Sequence, residues 1–146
     1  MRPTHTDQQL PDYDALIHLL LDDLLEMLDG RINEEEHRWS MTLLEKVQEY
    51  LHRQFTVEES GGYLEEVLEE FPSWQPLLRT LQGEHKHLLQ DFCELRNELS
   101  GCQTSTPLAL RLQREFRMWV RRFRNHQHRE AQVLQKAYTL DVGSGE

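Results

Sequence analysis

Residues 112–134, LQREFRMWVRRFRNHQHREAQVL, place Leu112, Phe116, Trp119, Phe123, His126, Glu130 and Leu134 at three- and four-residue steps. That spacing lines one face of an α-helix, so two polar residues, His126 and Glu130, are carried into the core with their apolar neighbours. Three other stretches behave alike. A first long helix sets Ile17, Leu21, Leu24 and Leu28 in line with His18 beside them, and a second reads Leu44, Val47, Leu51, Gln54, Glu58. A third gives Trp74, Leu78, Leu81, His85, Leu88, Phe92, Leu95 and Leu99. An unpaired charge on such a face costs several kcal/mol. His18, Glu58, His85, His126 and Glu130 are therefore the candidate metal ligands, with Gln54, Glu59 and Glu84 as weaker members, and Tyr63 either hydrogen-bonds behind them or, as favoured, packs under the Gly61-Gly62 turn.

Breakers and caps divide the chain around these stripes. Residues 1–10 form a flexible polar lead, and Pro11-Asp12 offers a start with Asp12 as cap. Gly30 stops the first helix, Asn33 caps the second, and Gly61-Gly62 ends it near Ser60. A short helical stretch, Tyr63 to Phe71, leads to Pro72, after which Ser73 caps the third helix and Gly101 closes it. Thr106-Pro107 starts the fourth, which runs to about Leu140 ahead of a disordered tail at 141–146. Four long helices joined mostly by short loops predict an all-α, up-down-up-down antiparallel four-helix bundle over residues 11–140. His18 near the start of one helix, Gln54 and Glu58 near the end of the next, His85 early in the third and His126 with Glu130 late in the fourth then fall at one end of that bundle. His37 shares the second helix's stripe but lies ~31 Å along the axis from Glu58. His52, His87 and His128 sit about 200° from a stripe position and belong in solvent.

The chain has 146 residues, 38% of them hydrophobic and 29% charged, with seven Gly and five Pro. This is the composition of a one-domain helical protein with a real core. No apolar run approaches the ~20 residues of a membrane span, and the opening decapeptide lacks a signal-peptide core, so a cytoplasmic location is expected. The two cysteines, Cys93 and Cys102, are too few and too close in sequence for a disulfide framework. The net charge of −10 conceals a basic stretch, because residues 107–138 carry a net +6. Pairing of Arg114, Arg117, Arg121 and Arg124 with acidic neighbours on adjoining helices, such as Glu34 to Glu36 or Glu65 to Glu70, is the expected use of that charge. Binding of nucleic acid is disfavoured by the acidic whole, and a homodimer interface stays open.

His126 with Glu130, and Gln54 with Glu58, are i,i+4 neighbours on one helix face. Two carboxylates able to bridge, with imidazoles arriving from several helices, form a set suited to two transition-metal ions. The segments Gln54-Phe55-Thr56-Val57-Glu58-Glu59, Glu84-His85-Lys86-His87-Leu88-Leu89 and His126-Gln127-His128-Arg129-Glu130 carry a resemblance. From about Asp12 to Tyr138 the chain resembles the hemerythrin-like (HHE cation-binding) family. That family's pattern closes the second helix with HFxxEE and places EHxxL on the third helix and HxxxE on the fourth, after an earlier histidine on the first. The resemblance implies a hemerythrin-like bundle around a non-haem di-iron centre that binds O2 or NO, or that serves iron and redox homeostasis.

Gln54 stands where the family has histidine, and Leu89 where oxygen-carrying members have a second histidine on the third helix. A neutral carboxamide is a poor iron ligand, so the metal leaning on position 54 is expected to be weakly held, water-completed or absent, with partial occupancy or another divalent metal as the result. Three uses follow: a metal-binding sensor of a diatomic gas, a di-iron oxidase or peroxidase, and a bundle with one metal or none kept as an interaction module. A binding or sensing role is favoured over an enzymatic one.

Overall fold

The computed structural model describes residues 13–60, 63–104 and 106–144, apart from the side chains of 63, 64 and 141–144. The lead at 1–10, the Asp12 cap, the Gly61-Gly62 turn, the Tyr63 side chain and the last two residues of the tail lie outside the described residues. Within them the protein is all-α, with five helices: α1 (Asp14–Met27), α2 (Glu34–Glu59), α3 (Tyr63–Glu70), α4 (Gln75–Gly101) and α5 (Pro107–Ser144), and a 3-10 turn at Pro72–Trp74 before α4. No strand occurs among the described residues. The first to fourth long helices of the sequence are thus α1, α2, α4 and α5.

Local chemistry sets most of the boundaries. Gly30 takes a φ of 91°, the left-handed conformation that ends α1's run. Asn33 and Glu36 form a reciprocal capping box, the Asn33 side chain accepting the Glu36 N–H at 2.7 Å and the Glu36 side chain accepting the Asn33 N–H at 3.0 Å. Thr106 Oγ1 accepts the Ala109 N–H at 3.1 Å, with Pro107 in the first turn of α5. Two boundaries differ from the expected ones. Ser73 does not cap α4, because Pro72 starts a 3-10 turn that contains Ser73 and hands over to α4 from Trp74 without a side-chain cap. Helix α5 continues past Leu140 to Ser144, since Gly143 weakens a helix without breaking it.

Helix α1 packs on α2, α2 on α4, and α4 on α5, while α3 folds over the end formed by α2, α4 and α5. The core divides in two. A large cluster joins Ile17, Leu21, Leu51, Phe55, Leu88, Phe92, Trp119 and Phe123, among others. A smaller one under α3 joins Val67, Leu78, Leu81, Val133 and Ala137. His85 falls between Leu81 and Leu88, and His126 with Glu130 between Phe123 and Val133, so the polar residues form a layer separating two dry clusters. Trp119 anchors the large cluster, stacking on Phe123 at 5.2 Å and donating its indole N–H to Leu88 O at 2.9 Å.

The basic face of α5 pairs with α1 and α4. Arg124 reaches Asp22 of α1 and Arg117 reaches Asp29 in the turn after it, while Arg122 and Arg129 reach Asp91 and Glu84 of α4. Arg117 and Arg124 thus pair with acidic neighbours as expected, and the partners are Asp29 and Asp22 rather than the glutamates at 34–36 or 65–70, because the α1 flank is what α5 lies beside. Cys93 and Cys102 are free and half-buried. His37 Nε2 donates to Leu99 O at 3.0 Å, and His52, His87 and His128 are exposed. Among the described residues no helix is long and apolar enough to cross a membrane.

Candidate metal centre

Helices α4 and α5 bring His85, His126 and Glu130 together, with one ligand atom from each lying within 4.8 Å of the other two. All three are buried, at 2%, 1% and 5% exposure, and Glu58 joins them from α2 at 9%. Glu130 Oε2 sits between the imidazoles, 2.8 Å from His85 Nε2 and 3.3 Å from His126 Nε2. Glu58 Oε1 approaches His85 Nε2 to 3.3 Å. Two imidazole nitrogens and the Glu130 carboxylate thus converge from α4 and α5, with Glu58 of α2 in contact with His85 beside them.

The other ring nitrogens explain why the rings point this way. His85 donates from Nδ1 to Glu59 Oε2 at 2.7 Å, and His126 from Nδ1 to Glu84 Oε1 at 2.6 Å. Arg129 steadies the second carboxylate with a 2.7 Å bond to Glu84 Oε2. A carboxylate behind an imidazole fixes the tautomer that leaves Nε2 free to bind a metal. Phe55 adds an apolar wall, stacked on His85 at 4.2 Å and 5°.

Charge is unevenly settled in this layer. Burial, reinforced by the negative charge of Glu130, pushes the Glu58 carboxyl up to about 7, although the Gln54 hydrogen bond and His85 pull the other way. Burial opposes a charge on His85, but the hydrogen bond and charge of Glu130, then Glu59 and Glu58, lift it above the ordinary imidazole value. Glu84 is also resisted by burial, and the bonds from Arg129 and His126 hold it below the usual carboxylate range. With both nitrogens facing carboxylates, a cation at His85 Nε2 would compete with a proton there.

A fit to metal is tested by the buried atoms whose ion-pair contacts, 3.3 Å each, fall short of hydrogen bonds. His126 Nε2 and Glu58 Oε1 are buried and make no hydrogen bond. Such orphans cost free energy unless another group completes them. His126 belongs to the converging set and Glu58 lies beside it, and the donor types suit a transition metal: two imidazoles and a carboxylate are the set that holds a single ferrous ion with open positions.

The expected ligands separate into those that meet and those that do not. His85, His126 and Glu130 meet, and Glu58 touches His85 alone of the three. Glu59 and Glu84 stand behind the imidazoles rather than on the converging side. His18 is half-buried on α1 against Phe123, with ring centroids 6.0 Å apart, outside the three-residue group. Gln54 is engaged at both ends: its NH2 donates to Glu58 Oε2 at 3.0 Å and its oxygen accepts the Tyr13 N–H at 3.2 Å. Gln54 is therefore a clamp between the start of α1 and Glu58. Asp14 was not singled out by the stripes, yet it accepts from Gln127 at 3.0 Å, next to His126. Its four-residue spacing from His18 was the signal available.

Compared with models of known protein families, with curated proteins and with solved structures, the chain finds no match.

Proposed function

We propose that this protein is a hemerythrin-like metal-binding protein whose primary ion is held by His85 Nε2, His126 Nε2 and Glu130, with Glu58 as a further carboxylate. The observation that carries the reading is the pair of buried imidazoles, each backed by its own carboxylate and both turned toward Glu130. The successive packing of α1, α2, α4 and α5 supports the up-down-up-down antiparallel four-helix bundle that the family order implies. Iron is the favoured metal, because two imidazoles and a carboxylate leave positions open on a ferrous ion. Bound there, the ion supplies a site for O2 or NO. The chain's residues do the rest. Glu59 and Glu84 orient the rings, Phe55 and the two apolar clusters exclude water, and Glu58 and Glu130 supply the negative charge that balances a dication. Sensing or binding of a diatomic gas is the role proposed.

Metal content by mass spectrometry on untagged protein, read together with the aerobic visible spectrum, tests this. Bound iron whose spectrum changes reversibly with O2 or NO supports it. Protein that holds no metal after incubation with ferrous iron, and melts identically with and without chelator, overturns it. The metal-free bundle is the second reading, favoured by one observation: both His85 nitrogens already have protein partners.

A further inference from the structure

The groove between α4 and α5 carries charges that the fold leaves unmatched. It encloses about 320 Å³, with Asp91, Glu94 and Glu98 on its α4 wall and Glu115, Met118 and Arg122 on its α5 wall. Two of these carboxylates already have cations: Arg122 holds Asp91 at 3.0 Å across the groove, and Arg111 holds Glu115 at 3.3 Å within α5. Glu94 and Glu98 are left, one turn apart on the exposed side of α4. Arg114 and Arg121 are exposed on the outer side of α5. Among the described residues none of these four makes a hydrogen bond or an ion pair. Between the two arginines lies Met118, 62% exposed. One helix therefore offers two open carboxylates, and its neighbour two open guanidiniums around a thioether.

We infer that this face docks a second copy of the chain, with α4 of each copy laid over α5 of the other. The register follows from the pairs within one chain. Arg122 meets Asp91 and Arg129 meets Glu84, so position 122 is level with 91 and position 129 with 84. Glu98 is then level with position 115, beside Arg114, and Glu94 with position 119, between Met118 and Arg121. A two-fold axis laid along the groove exchanges the two helices and keeps every level. It brings Glu94 and Glu98 of each copy opposite Arg121 and Arg114 of the other, with a largest offset of about two residues, or ~3 Å, which a guanidinium side chain spans. The two Met118 side chains close over the axis, where a flexible thioether fills an irregular gap. Charge also selects this approach. At a net −10 per chain, two copies repel when they meet without matched charges, and this face supplies the match twice over. None of the four charged residues belongs to the His85, His126 and Glu130 group, so the docking does not depend on metal.

Sedimentation velocity on the whole chain, from about 1 to 100 μM, reads the mass, and circular dichroism checks the fold. Wild type is expected to reach twice the 17.5 kDa of one chain at the upper concentrations. Arg114→Glu with Arg121→Glu is expected to give a monomer, and so is Glu94→Arg with Glu98→Arg, because like charges then face each other in both halves of the interface. Mixing the two double variants is expected to restore a one-to-one dimer, since each α4 again meets an α5 of opposite charge. A defect in folding is not repaired by mixing. Monomer at every concentration in wild type would overturn the second copy as occupant and leave the face to another partner. A dimer that survives in both double variants would overturn the face, and monomers that stay apart on mixing would overturn the register. Where a double variant loses helicity, the single exposed change Met118→Lys takes its place: monomer is expected, and an undiminished dimer would overturn the docking.

Discussion

Glu84 Oε1 lies 2.6 Å from His126 Nδ1, while its other oxygen is held by Arg129 at 2.7 Å. One surface ion pair therefore reaches, through an imidazole, a nitrogen buried in the protein interior. Removing the carboxylate leaves the ring in place but loosens its orientation and its basicity. Glu84→Gln is expected to weaken metal retention by roughly 10–100-fold, the usual loss when such a partner is removed. Arg129→Ala should give a smaller loss of the same sign. Competition with a graded series of chelators measures both, and equal affinities in Glu84→Gln and wild type would show that Glu84 does not orient a ligand.

Replacing His126 or Glu130 by alanine is expected to release the primary metal entirely, since each supplies an atom of the converging group. Helicity should survive, because the apolar clusters on either side of the layer do not include them. Metal analysis with far-ultraviolet circular dichroism reads the two effects apart. Undiminished metal in either variant would remove α5 from the site.

Gln54→Ala deletes the acceptor for Tyr13 N–H and the donor to Glu58 together. A loss of about 1–2 kcal/mol is expected, concentrated at the start of α1. Denaturant unfolding gives the global figure, and hydrogen exchange at Tyr13 and the first turn of α1 locates it. Unaltered exchange there would mean that the clamp does not form in solution.

The metal-free protein is expected to lose stability as pH rises from about 5 to 8. Glu58 has a folded pKa of about 7, above the ~4.3 of an unfolded glutamate, so the folded state binds the extra proton and stability falls across the interval between those values. His85 is also raised, so its contribution is complete below the unfolded value of about 6.5 and disappears as pH climbs through the folded one. Metal affinity should move the opposite way, strengthening over the same range as these protons leave. Melting of chelator-treated protein from pH 5 to 8 tests the first statement. Glu58→Gln should flatten the slope, and a slope unchanged by that substitution would mean that the group titrates elsewhere.

Periodicity made the layer legible. His85, His126, Glu58 and Glu130 occupy positions that a stripe of Leu, Phe and Trp carries inward, and all four are buried. The Asn33 and Thr106 caps were legible for the same reason, since hydroxyl and amide side chains satisfy orphan N–H groups within three residues. Glu59 and Glu84 were harder to place. Each follows or precedes a stripe residue by one position, about 100° off the face, which argues against direct ligation. Such an offset with a long side chain suits the far nitrogen of a neighbouring helix's imidazole, and that depends on packing which no single segment encodes. Asp14 and Gln127 escaped for a related reason, because their relationship crosses between helices more than a hundred residues apart in sequence. Ser73 was misplaced because a serine after proline suits a cap and a 3-10 turn equally well.

Helix α1 is attached in two unlike ways. Its apolar side, Ile17, Leu21 and Leu24, is fully enclosed, whereas beyond its first turn, where Asp14 takes Gln127, its exposed margin reaches α5 through Arg124 to Asp22 and, in the turn that follows, Arg117 to Asp29. Ion pairs of that kind are each worth about 0–1 kcal/mol and fade in salt. One margin of α1 is therefore an ionic fastening, and the other a greasy hinge against α2. Concentrated salt should ease the fastening first, so the opening of the interior becomes a property of the surrounding electrolyte as well as of the fold.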